Sequence, residues 1–170
     1  ANISSASNIG KFAFGLGINI LQNSAYPLAI INAADNFTTT TDLGKGDLAL
    51  NTNMGKLTYR MAQSNLGPNV RCYYIQTGEL DKKSDLLEWN TKMGKHLSQI
   101  KKLFPNLSNV FLGQSPLQTD SVLSAQIREA QRKITAATII PTYGVSGFDG
   151  NTFSDAGIAN FSTFISKILL

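Results

Sequence analysis

The chain has 170 residues, 42% of them apolar and 15% charged, with a formal net charge of +4 and a mean hydropathy of −0.05. That length fits one domain burying about two-thirds of its unfolded surface. The composition excludes a disordered tail, and no apolar run is long enough to cross a bilayer, so no membrane insertion is expected.

One cysteine, Cys72, excludes an internal disulfide and a multi-cysteine zinc site. Neutral Asn, Ser, Thr and Gln fill much of the remaining sequence, which suits an extracellular, cell-surface or virion setting. The opening ANISSASNIG has neither an initiator Met nor a signal segment, as a trimmed N-terminus would. Residues 1–7 read as a polar N-terminal segment and 8–170 as a single α/β domain.

In chain order, SNIGKFAFGLGINILQNS predicts an amphipathic helix and YPLAIINAA a short buried parallel strand. DNFTTTTDLGKGD follows as a polar loop. NMGKLTYRMAQSNLG predicts a helix closed by Gly67-Pro68, and VRCYYIQTG a second strand in which Cys72 is a buried residue.

Ser84, with Asp85 and Glu88 in the first turn, predicts the N-cap of a helix running to Pro105. Leu86, Trp89, Met93, Leu97, Ile100 and Phe104 lie on its inner face. SNVFLGQ predicts a third strand, and 120–135 a helix with Leu123, Ile127, Ala130 and Ile134 inward. AATIIPTY predicts a fourth strand, and Ser154-Asp155 opens a last helix with Ile158, Phe161, Ile165 and Ile168 inward.

Strands separated by helices imply a three-layer α/β/α domain with a mainly parallel sheet and right-handed crossovers. In such sheets sites form in loops at the carboxyl ends of strands, here 33–46, 76–83, 114–120 and 141–153.

Three of the segments form an ordered set: IQTGELD after a strand, IREAQRKI on the next-to-last helix and GFDGNTFSDAG before the final one. From the first helix onward the chain resembles the SGNH-hydrolase superfamily, in its sialate O-acetylesterase and carbohydrate acetylesterase branch. That branch typically carries Gln-Gly-Glu-x-Asp, Arg-x-Ala-Gln and a terminal Asp-x-x-His. The resemblance implies an SGNH/flavodoxin-like sheet whose first strand is missing from this chain. It also implies a donor for that strand, either another fragment or another subunit.

By the same resemblance, Gly78, Glu79 and Asp81 match the first element, with Thr77 at the amide position expected to help hold an oxyanion. Arg128, Ala130 and Gln131 match the second, and Asp149 the third, where Thr152 replaces the His. Asp35, Asn36 and Phe37 stand where the family places an oxyanion-hole glycine. The family's Gly-Gln-Ser-Asn nucleophile turn has no counterpart. Gln63-Ser64-Asn65 ends a helix, and Gly113-Gln114-Ser115 stands in the wrong order among the motifs.

A threonine hydroxyl cannot act as the near-neutral base that a serine nucleophile requires. The one histidine, His96, falls in mid-helix among Lys92, Lys95, Lys101 and Lys102, and reads as a solvated or half-buried helix residue. The lysines read as a solvated face and no nucleic-acid motif is present, so no nucleic-acid partner is expected. No cofactor is expected either.

The reading these residues favour is a non-catalytic relative of carbohydrate esterases, serving as a structural or carbohydrate-binding module on a cell surface or virus particle. Asn36, Gly78, Glu79, Asp81 and Asp149 would contact a glycan, and the vestigial catalytic positions are Thr77, Gly78, Asp149 and Thr152. Two alternatives stay open: an O-acetylesterase whose nucleophile lies on a missing N-terminal segment, and a self-assembling structural protein. A homo-oligomer is the expected assembly.

Overall fold

The computed structural model describes residues 11–24, 27–33, 39–78, 80–81, 83–115, 121–141 and 154–170. The chain is mixed α/β, with, among the described residues, a small all-parallel sheet of three strands in the order β1-β2-β3. Its contacts divide it into two compact units, residues 1–32 with 144–170, and residues 33–143.

The larger unit holds the sheet: β1 (Cys72–Gln76), β2 (Asn109–Gly113) and β3 (Thr138–Ile140). Each crossover carries a helix, α4 (Trp89–Leu103) between β1 and β2 and α5 (Ser121–Arg132) between β2 and β3. Parallel strands require such connections. The register pairs Tyr73 with Val110 and Ile75 with Leu112, so these four side chains share one face. Onto that face α4 presents Trp89, Met93 and Leu97, all fully buried, at four-residue spacing.

Two further helices lie in this unit, α2 (Thr40–Lys45) and α3 (Asn53–Ser64). Thr39 and Asp42 form a reciprocal capping box at the start of α2. The Thr52 side chain accepts from the Gly55 N–H at the start of α3, and Asn65 ends that helix in the left-handed conformation.

The smaller unit pairs α1 (Lys11–Asn23) with α6 (Asp155–Leu169). The Phe12 and Phe161 rings stack with centroids 5.1 Å apart, and Asn19 Nδ2 donates to Thr163 Oγ1 at 3.3 Å. Ser154 caps α6 as its sequence predicts, accepting from Gly157 N–H at 3.1 Å.

Several expectations are corrected. Residues 27–33, read as a buried strand, are irregular with Leu28 exposed. An apolar run becomes a strand only where a neighbour takes its main-chain groups, which hydrophobicity alone does not supply. The supposed loop 33–46 contains α2, whose capping box lies hidden in a threonine-rich run. The helix expected from Ser84 starts at Trp89, after a 3₁₀ stretch over Lys83–Glu88.

Side-chain burial departs from expectation at three places. Ile168 is exposed on α6. Cys72, expected to be buried, is exposed at the start of β1, although the protein mass around its thiol still pushes it up to about 11. His96 is not solvated but 1% exposed. Residues 1–7, Asn36, Glu79, Asp149 and Thr152 lie outside the described residues.

Candidate functional site

The carboxyl ends of β1 and β2 stand side by side, because Gln76 pairs with Gly113 in the parallel register. The segments leaving them, Thr77-Gly78 and Gln114-Ser115, are therefore neighbours, and this is where α/β sheets place their sites.

Gln131, near the end of α5, ties the two exits together. Its Nε2 donates to the Thr77 carbonyl at 2.8 Å, and its Oε1 accepts from the Ser115 N–H at 2.9 Å. Gln131 and Ser115 are both fully buried, so both bonds are made away from water. Replacing Gln131 with Leu strands a buried carbonyl and a buried N–H. The expected loss is about 2 kcal/mol, read as a lower urea midpoint with an unchanged slope.

Gly78 lies under the same helix, with φ +114°. A Cβ there would lie 2.8 Å from Ile127 Cγ2 and 3.1 Å from Gln131 Nε2. Both the backbone angle and the close approach of α5 thus demand glycine.

Asp81 is 3% exposed, and protein donors surround its carboxylate. Oδ1 accepts from the Thr40 N–H at 2.8 Å, while Oδ2 accepts from Thr40 Oγ1 and from Trp89 Nε1, each at 2.6 Å. One side chain thereby joins the first residue of α2, the exit of β1 and the first residue of α4. Thr77 is also buried, and its Oγ1 has no hydrogen-bond partner.

Of the residues singled out from the sequence, Thr77, Gly78 and Asp81 fall in one short stretch after β1. Gln131 approaches that stretch from α5, where Gly78 packs on it, whereas Arg128 of the same helix meets the β2 exit, its carbonyl accepting from Gln114 Nε2 at 3.4 Å. Sequence reasoning missed Thr40 and Trp89 as the partners of Asp81. The spacing of eight residues from Asp81 to Trp89 gives no periodic signal, and Thr40 comes from 41 residues away.

His96 is elsewhere. It sits on the inner face of α4, its Nε2 sharing a 2.8 Å hydrogen bond with the Tyr73 hydroxyl. Burial holds its pKa down at about 4, and burial also pushes the Tyr73 hydroxyl upward. At neutral pH both groups are uncharged. Ser64, in the first serine motif considered, donates its hydroxyl to the Met61 carbonyl at 3.0 Å. Among the described residues, no group of three or more His, Cys, Asp or Glu could hold a metal ion. No helix is long and apolar enough to cross a membrane among them either.

No family model, curated protein or solved structure matches this chain.

Proposed function

We propose that the chain is a non-catalytic, SGNH-esterase-like module of three-layer α/β/α type, structural or carbohydrate-binding, on a cell surface or virus particle. The observation that carries this reading is the use made of the motif residues around the β1 exit. Gly78, Asp81 and Gln131 hold segments of backbone in place: Asp81 accepts three hydrogen bonds from two helices, and Gln131 closes the gap between two strand exits. A carboxylate so engaged has little capacity left for acid/base work on a substrate.

The single imidazole supports the same reading. It is buried on α4, neutral and bonded to Tyr73, so it is not the base of a serine nucleophile. In serine hydrolases the loss of any triad member leaves only about 10³–10⁴-fold over water. With Thr152 at the family's histidine position, this chain would retain no more than that.

The test is a titration of the full chain with an O-acetylated sialoside, following the Gly78 amide by NMR and released acetate in the same tube. A saturable shift at Gly78 without acetate identifies a carbohydrate-binding module. An unmoved spectrum without acetate identifies the structural role. Catalytic release of acetate contradicts both and returns the esterase reading.

A further inference from the structure

We propose that His96 is an acid-sensitive latch for α2, so that protonation of its imidazole releases this short helix from α4 and loosens the loops at the end of β1. The geometry carries the idea. α2 packs along α4, with Gly44 against Lys92 and Gly46 against the Gln99 amide. His96 and Gln99, one helical turn apart on α4, both turn buried polar atoms into the packed interior. His96 Nδ1 and Gln99 Oε1 have no hydrogen-bond partner. The Leu43 carbonyl of α2 faces the imidazole closely enough to favour its charged form slightly, but does not form a hydrogen bond with it.

Unpartnered buried polar atoms make a contact cheap to open, because water satisfies them once it enters. The polar bonds that hold α2 against its surroundings gather at its first turn, while Leu43 packs on Trp89, Met93 and Leu97 of α4. At one end Asp81 bonds Thr40, and along the side Lys92 Nζ donates to Thr41 Oγ1 at 2.9 Å.

Among the described residues, a positive charge on His96 has no carboxylate partner. From β1 the facing group is the Tyr73 hydroxyl, and from α2 it is the Leu43 carbonyl. The charges of α2, Asp42 and Lys45, pair with each other at 2.7 Å on the exposed side. On α4 the neighbours are Lys92, which lies 3.4 Å from Glu88, and the exposed Lys95. Asp81 is engaged by Thr40 and Trp89. Acid would thus place an imidazolium in a buried interior, and opening the seam relieves it.

The sign follows from linkage. The closed-state pKa of about 4 lies below the ordinary 6.5 that the opened state recovers. Closure is therefore fully stable above pH 6.5 and loses stability as pH falls from there towards 4. Between pH 8 and pH 5 the opening equilibrium should rise about 30-fold.

Hydrogen exchange on the full chain reads this directly. The Leu43 and Gly46 amides, bonded to the Thr39 and Leu43 carbonyls, report on α2, and the Leu112 amide reports on the sheet. The expected result is a protection factor about 30-fold lower at pH 5 than at pH 8 for the α2 amides, with little denaturant dependence, abolished in His96→Gln. Equal protection at both pH values overturns the latch. So does a fall that persists in the variant, or one that shares the denaturant slope of Leu112 and so reflects global unfolding. Should the variant not fold, the Cε1–H resonance of this single histidine decides on the unmodified chain. A midpoint near 4 with accelerating α2 exchange supports the latch, and a midpoint near 6.5 overturns it.

Discussion

Asp81→Ala destabilises the chain by about 4 kcal/mol, the largest loss expected from any single substitution at the candidate site. Three donors converge on this carboxylate, and all are buried with it. Each charge-assisted bond is worth roughly 1.5–3 kcal/mol, and removing the acceptor strands the donors rather than returning them to water. Trp89 is the only tryptophan, so its fluorescence reports the event at the indole whose N–H loses its partner. Equilibrium unfolding in urea should show the midpoint falling, and the emission of the folded variant should shift. A variant as stable as the parent would mean that the Asp81 bonds do not anchor α2 and α4.

Gly78→Ala is the second. An alanine at φ +114° is strained by about 1–3 kcal/mol, and its methyl would meet Ile127 at 2.8 Å. Overpacking of that kind adds at least about 1 kcal/mol, so a total of about 3 kcal/mol is expected. Gly94→Ala is the control. In mid-α4 its added Cβ meets nothing within 4 Å, and the change should stabilise by about 0.5–1 kcal/mol. The same chemical step thus has opposite signs at two glycines, which thermal unfolding of the two variants side by side will show. Equal effects would contradict the account of the β1 exit.

Much of the larger unit is legible in the sequence. The four-residue spacing of Trp89, Met93 and Leu97 marks the inner face of α4, and VRCYYIQ and SNVFLGQ carry the short apolar runs of buried parallel strands. Periodicity succeeds on α4 because one face of the helix is buried and the other is not.

It fails at residues 27–33, an apolar run that is irregular in the structure. Strand formation depends on a neighbour, and hydrophobicity along one segment does not supply that information. It fails again at His96, which is flanked by Lys92 and Lys95 and so looks solvated, yet faces inward at the same register as Met93 and Ile100.

The candidate site is legible as residue types and not as roles. Gly78, Asp81 and Gln131 can be picked out by their pattern, but a carboxylate reads the same whether it faces a substrate or an indole. Only the Thr40 and Trp89 bonds, made across the fold, distinguish the two.

The central claim is that these positions keep the shape of the strand-end loops without performing ester chemistry. Its most direct test is the rate of acetate release from an O-acetylated sialic acid by the purified chain, between pH 6 and pH 9. The account predicts a rate equal to that of buffer throughout. Saturable turnover, with a rate that rises as a base of near-neutral pKa loses its proton, would contradict it.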